Sequence, residues 1–327
     1  MAQDVFRWGI LGPGHIAART VPAIVRTPGL RLEAVASRDL ARAQAFAAAH
    51  GAAKAYGSYR ELAEDPDVDA VYVATPNAFH CEQAVLCLSH GKAVLVEKPF
   101  ALNAAEGRRM AEAARTHGAF LMEAMWTRFV PAVRHLRSLL ASGALGAPRL
   151  AVADFSFSRQ LGPETRLLSP ALGGGALLDL GVYCLSFASL AFGPVPDAVS
   201  SYARLGPTGV DVQDAVLLRY AGGGQAQLSC GFEAYGAADA TLLCTDARVA
   251  LPSVAKPEAL AIVRPSGSET LPFPFAVNGY EPQFLEVRDR VREGALASPE
   301  MALSETLATL ELMDALRRDW GVRYPQE

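Results

Sequence analysis

The sequence predicts an α/β domain with a parallel sheet, followed by an α+β domain built on a large, mainly antiparallel sheet. Three observations predict it. Over the first 124 residues, short apolar runs alternate with helix-compatible stretches, the pattern of strand–helix–strand units. The first of these runs ends in a glycine-rich turn. Beyond residue 148, strand-like runs follow one another at turn signals, with a single long helical stretch among them.

A chain of 327 residues indicates two domains of ordinary size, expected at 1–124 and 125–327, with the last helix able to pack back on the first domain. Apolar residues make up 51% and charged residues 20%, as in a soluble globular protein. The net charge of −4 and the lack of a dense Lys/Arg cluster argue against a nucleic-acid partner. Met1-Ala-Gln-Asp-Val5 lacks the basic-then-apolar pattern of a signal peptide. The most apolar stretch, Ala176 to Phe192, is interrupted by Asp179 and reads as too short and too mixed to span a membrane. Five scattered cysteines without C-x-x-C spacing read as free thiols in a reducing cytoplasm. The six histidines show no metal-ligand spacing, and no metal is expected.

Val5–Leu11 reads as a buried strand running into Gly12-Pro-Gly-His-Ile-Ala17, with helix-compatible sequence to about Arg26. That strand–turn–helix context is what a dinucleotide fingerprint requires. Gly12 allows the tight turn, Gly14 lets the backbone approach a pyrophosphate, and Ala17 lets helix and strand pack closely. The helix amides and dipole then favour phosphate. The second strand, Leu30–Ala36, ends in Ser37-Arg38-Asp39. An NAD site places an acid there for the ribose 2′-hydroxyl. Small Ser37 followed by Arg38, with Arg42 one turn on, suits a 2′-phosphate instead. Asp39 either competes for that slot or caps the helix Leu40–Ala49. NADP is favoured over NAD.

A short strand near Ala53–Tyr56, a helical turn Ser58–Glu64 and an inner strand Val68–Ala74 follow. The strand stops at Thr75-Pro76-Asn77, before a helix from Phe79 to Ser89. Asn77 and His80 either touch the nicotinamide ribose or serve only to break the strand and pack locally. Lys92-Ala-Val-Leu-Val-Glu-Lys-Pro99 places Glu97 and Lys98 at the carboxyl end of a further strand, the edge at which open α/β sheets bind ligands. A helix Ala104–Thr116 and a strand Ala119–Ala124 close this domain.

In the second half, Pro131–Ala141 is a helix and Pro148–Phe157 the first strand; Thr165–Leu172 is a loop. Strands are expected at Ala198–Leu205, Asp214–Tyr220, Gln225–Phe232, Ala240–Cys244 and Ala259–Val263, and helices at Glu281–Glu293 and Ser304–Asp319. Gly173-Gly-Gly leads into a helix on which Asp179 and Tyr183, four residues apart, share a face. An aspartate among Leu177, Leu178 and Leu180 needs a partner: a lysine, a tyrosine hydroxyl or a ligand.

Gly12-x-Gly14-x-x-Ala17, Thr75-Pro76-Asn77-x-x-His80, Glu97-Lys98-Pro99 and Gly173-Gly-Gly-x-x-x-Asp179-x-x-x-Tyr183 resemble, in order and spacing over nearly the whole chain, the glucose–fructose oxidoreductase/inositol dehydrogenase family (Gfo/Idh/MocA). Glu123-Ala-Met-Trp-Thr-Arg-Phe129, with Tyr183 where most members carry histidine, is similar to the branch of dimeric trans-dihydrodiol dehydrogenases and NADP-dependent D-xylose 1-dehydrogenases. The resemblance implies a Rossmann domain followed by an α+β domain with an open sheet. It also implies NADP, hydride transfer from a sugar or cyclic diol, and a homodimer or larger assembly through the open sheet face. Cofactor contacts are expected from Gly12, Gly14, His15, Ile16, Ser37, Arg38, Arg42, Thr75, Pro76, Asn77, His80, Glu97 and Lys98.

Oxidising a secondary alcohol needs a base for the hydroxyl proton while the cofactor takes the hydride. Tyr183 is the candidate base; a tyrosine of ordinary pKa, about 10, is a weak one at neutral pH. Lys98 nearby would favour the phenolate, and Asp179 would hold Lys98 or the substrate hydroxyl. Trp126, Arg128 and Phe155 are candidate substrate contacts. A keto-sugar reductase running in the opposite direction is one alternative; a non-catalytic NADP-binding regulator is another, against which Lys98, Asp179 and Tyr183 argue.

Overall fold

The computed structural model describes residues 5–327. The reading of Met1-Ala-Gln-Asp4 as lacking a leader lies outside those residues. Two compact units are built: one runs to Trp126 and is completed by Ala276–Thr306, the other comprises Thr127–Phe275 and Leu307–Glu327. A boundary after Ala124 divides the chain into consecutive pieces, whereas here the tail is shared between the units.

In the first unit, β1 (Phe6–Leu11), α1 (His15–Val25), β2 (Leu30–Ala36), α2 (Leu40–His50), β3 (Lys54–Tyr56), α3 (Tyr59–Glu64), β4 (Ala70–Val73), α4 (His80–Ser89), β5 (Ala93–Glu97), α5 (Ala104–His117) and β6 (Leu121–Ala124) alternate as expected. The strands form one parallel sheet in the order β3-β2-β1-β4-β5-β6. Every residue of β4 and β5 is buried, which is why both read as unbroken apolar runs. The order reverses between β1 and β4, so the turns after those two strands flank the crevice in which such sheets bind ligands.

In the second unit, α6 (Pro131–Ala141) precedes β7 (Pro148–Ser156), and a π-helical turn, Leu177–Gly181, leads into α7 (Val182–Phe192). Seven more strands follow: β8 (Ala198–Leu205), β9 (Asp211–Arg219), β10 (Gln225–Gly231), β11 (Ala240–Cys244), β12 (Arg248–Leu251), β13 (Ala259–Arg264) and β14 (Gly267–Pro272). Their sheet runs β14-β13-β12-β11-β7-β10-β9-β8 and is antiparallel except between β7 and β10. β12 and β14 escape the sequence reading. β12 is only four residues long, and β14 is an edge strand exposed along nearly its whole length, so neither has a period-two apolar pattern to read.

Thr165–Leu172, expected as loop, contains two 3₁₀ turns, Arg166–Leu168 and Pro170–Leu172. The stretch Pro170–Phe192, 23 residues, is long and apolar enough by length and composition to cross a membrane, although Gly173-Gly-Gly175 interrupts its helical turns. Its most apolar window is 78% buried inside the protein, and α7 packs on β7, β10 and β11 as a core helix.

The last two helices are α8 (Glu281–Arg292) and α9 (Leu303–Trp320), the latter passing from the first unit into the second after Thr306. α8 packs against α1 and β5, and its Phe284 meets Trp8 and Tyr72 edge-on at centroid distances of 4.9 and 5.5 Å.

Candidate active site

Gly12 sits at φ +87°, a conformation open chiefly to glycine. A Cβ there would lie 2.7 Å from Thr75 Cγ2 and 3.0 Å from the Ala74 carbonyl oxygen, so the turns after β1 and β4 touch through the missing side chain. Gly14 is different: a Cβ there would approach nothing closer than the Gly12 oxygen at 4.0 Å. Its bareness leaves room for a ligand. Gly14 is also the N-cap of α1, with no side-chain cap and no acid in the first turn. The leading amides are thus left to an external anion. Gly12→Ala is expected to destabilise the protein by about 1–3 kcal/mol and to weaken dinucleotide binding; thermal melts and a cofactor titration check both.

At the end of β2, Ser37 is buried and Asp39 caps α2, accepting from the amides of Ala41 (3.0 Å) and Arg42 (3.3 Å). Asp39 therefore takes the capping alternative. The exposed Arg38 guanidinium lies 5.6 Å from the centre of the Phe79 ring and hydrogen-bonds Tyr59, whose own pKa is raised by burial. Arg42 Nη2 donates to the Pro13 carbonyl at 3.3 Å, bringing a second guanidinium to the glycine turn. Two guanidiniums, those of Arg38 and Arg42, thus follow the end of β2, while Asp39 is held by the amides of α2.

After β4, Thr75 Oγ1 donates to Gln83 Oε1 (2.6 Å), and Asn77 is buried. His80 is fully buried, with Nδ1 2.9 Å from the Pro99 carbonyl oxygen and Nε2 2.9 Å from that of Thr75. The ring thus ties the loop after β4 to the loop after β5. Glu97 is buried, receives the Tyr72 hydroxyl and accepts from the Lys98 amide at 3.1 Å. Burial and the Glu97 charge push the Tyr72 phenol well above its ordinary range. Lys98 is half-buried at the carboxyl end of β5, before a cis peptide to Pro99. Trp126 is buried and stacks on Tyr280 at 4.3 Å. His15, exposed, and Ile16, half-buried, open α1.

In the second unit, Asp179 lies on the π-helical turn and Tyr183 on the first turn of α7. π-Helical turns inside helices recur at functional sites. Asp179 Oδ1 pairs with Arg166 Nη2 at 2.9 Å. That partner, thirteen residues upstream in a 3₁₀ turn, has no spacing signal in the sequence. Tyr183 is 8% exposed and meets Phe155 edge-on at 5.4 Å. Arg128 is buried, with Nε on Ser186 Oγ (2.7 Å) and Nη2 on the Ser186 carbonyl (3.1 Å), bracing α7. Of the three expected substrate contacts, Phe155 lies beside Tyr183, while Trp126 and Arg128 are engaged in packing within their own units.

Residues 6–125 match the family described as "Oxidoreductase family, NAD-binding Rossmann fold", and residues 133–250 match the "GFO/IDH/MocA C-terminal domain". The chain is 40% identical over 331 residues to trans-1,2-dihydrobenzene-1,2-diol dehydrogenase of Macaca fuscata fuscata, covering 98% of each chain. The chain belongs to the GFO/IDH/MocA oxidoreductase family. Among solved structures it is similar to a 3-ketoreductase from Actinomadura kijaniata in complex with NADP and TDP-benzene, with a TM-score of 0.84, 29% identity, and 96% of this chain and 97% of that one covered. It shares its fold with aldose-aldose oxidoreductase from Caulobacter crescentus (TM-score 0.88, 24% identity, 97% and 98% covered).

For a GFO/IDH/MocA chain the first unit carries what a dinucleotide needs: an uncapped helix N-terminus, a glycine turn free of Cβ, and two guanidiniums at the second strand. Among the described residues, no three His, Cys, Asp or Glu side chains are grouped to hold a metal ion. The residues that sequence reasoning passed over are Tyr59 and Phe79, which brace Arg38, and Arg166, which pairs with Asp179.

Proposed function

We propose that this chain is an NADP-dependent oxidoreductase that moves hydride between a secondary alcohol of a sugar or cyclic diol and the nicotinamide. The observation that carries the reading is the end of β2, where Arg42 reaches the glycine turn and Arg38 lies beside Phe79, while Asp39 is engaged in capping α2. The bound cofactor supplies the hydride acceptor. The hydroxyl proton goes to Tyr183 Oη; Lys98 is the cation proposed to favour its phenolate, and Asp179 the group proposed to hold Lys98 or the substrate hydroxyl. Phe155, beside Tyr183, offers an apolar face to a sugar ring or a cyclohexadiene.

Incubating the protein with NADP and a panel of trans-dihydrodiols, pentoses and hexoses, and following absorbance of NADPH, tests this directly. NADPH formation supports the dehydrogenase direction. The similarity to a 3-ketoreductase favours including keto-sugars with NADPH as a second arm; consumption there alone would reverse the physiological direction. Tight NADP binding with no turnover in either arm would leave a regulator.

The same reading includes a homodimer in the cytoplasm. The five cysteines are all free, which suits a reducing compartment. The sheet face that carries Leu217, half-exposed Val152, Ala250 and Ala261 lies in one cross-strand row with Gln227 and Thr241, an apolar strip suited to a second copy. Leu217 is 54% exposed. Leu217→Arg is expected to shift the protein to monomer in sedimentation; a monomeric wild type would remove the dimer.

A further inference from the structure

Two carboxyl groups lie deep in the second unit, outside every role assigned above. Asp211 and Asp214 are 0% and 2% exposed, and they lie close enough for each to shift the other's titration. On a regular strand, residues three apart face opposite sides. Here the pairing with β8 slips one residue, Leu205 opposite Asp211 but Arg204 opposite Gln213, and this bulge turns Asp211 inward beside Asp214.

What they hold is the helix start that carries Asp179 and Tyr183. Asp211 Oδ2 accepts from the amide of Leu177, the first residue of the π-helical turn, at 2.5 Å. Gly175 sits at φ +121°, and a Cβ there would fall 2.4 Å from Asp211 Oδ1, so the glycine loop is packed directly on the carboxylate. Tyr324 clamps the same loop by donating to the Gly174 carbonyl at 2.5 Å. Cys230 Sγ, on β10, donates to Asp214 Oδ2 at 3.2 Å. The Oδ1 atoms of both aspartates are buried with no N–H or O–H donor reaching them. Two facing acceptors are satisfied together only if one proton lies between them.

We infer that Asp211 and Asp214 are positioning residues, a carboxyl pair sharing one proton that fixes the glycine loop and the helix turn bearing Asp179 and Tyr183. The inference rests on the proposed function only for the consequence in turnover. The groups facing the pair are Cys230 on β10, Cys184 of α7 behind it, Arg317 on α9, and Tyr324 beyond that helix. Burial and the Asp211 charge push Asp214 up to about 9. The folded chain thus keeps a proton that the unfolded chain releases near pH 4. This proton's contribution to stability is complete below about pH 4, falls as pH rises toward 9, and changes little beyond.

Asp214→Asn keeps a donor toward Asp211 but carries no proton to lose. Its Tm relative to wild type is expected to rise steadily between pH 5 and 9; a gap independent of pH would overturn the shared proton. Asp214→Val removes the donor. With NADP affinity unchanged, its kcat is expected to fall about 10–100-fold, while Asp214→Asn stays near wild type; a valine variant as active as wild type would overturn the positioning role. If the valine variant does not fold, Asp214→Ser, whose hydroxyl stops short of Asp211, takes its place. A wild type that turns over no substrate counts against the proposed function, and the Tm arm still decides the pair.

Discussion

Tyr183→Phe is expected to lower turnover by about 10²–10⁴-fold, the span attributed to a positioned acid–base group, with NADP affinity unchanged. The substitution removes one atom. The ring is 8% exposed and packed edge-on against Phe155, and phenylalanine keeps that packing, so folding and the second unit's core should survive. The nucleotide contacts proposed above lie in the first unit. Loss of kcat without loss of affinity or melting temperature would single out the hydroxyl. Unaltered turnover would remove Tyr183 from the chemistry and leave the hydroxyl proton without an assigned acceptor.

Arg38→Ala is expected to weaken NADP binding by about 10–100-fold, the cost of losing a hydrogen bond to a charged group, and to leave NAD nearly unaffected. Arg38 is exposed and its partners, Phe79 and Tyr59, lie beside it, so removal should cost little stability. Adding an acid nearby would not by itself create an NAD site, because Asp39 is already engaged by the amides of α2. Titrating both cofactors against wild type and variant measures the ratio. Equal losses for the two cofactors would show that Arg38 does not read the 2′ position.

The first half of the chain was legible because its information is local. β1 is apolar, its turn is glycine-rich, α1 begins within four residues, and each of the next strands ends in a recognisable breaker. In the second half the strands with alternating burial, such as β9 and β10, were equally readable. β14 was not, because an edge strand exposed on both faces has no pattern, and the parallel pairing of β7 with β10 is a matter of topology rather than composition. For the candidate site, sequence located the carboxyl-edge residues but not their engagements. His80 binds two backbone carbonyls, which carry no sequence signature. Arg166 reaches Asp179 from a stretch read as loop.

By itself, the sequence determined the order of strands and helices, the glycine turn, the basic end of β2 and the residues offered at the sheet edge, all of which depend on periodicity, φ preference or charge within a few positions. Only the tertiary structure showed what these side chains touch: Asp39 caps α2, His80 ties two loops, and Asp179 pairs with Arg166, which is neither the lysine, the tyrosine hydroxyl nor the ligand that the sequence left open. It also decided that Asp211 faces Asp214. A strand's period of two places residues three apart on opposite faces, and only the slip in pairing with β8 overrides it.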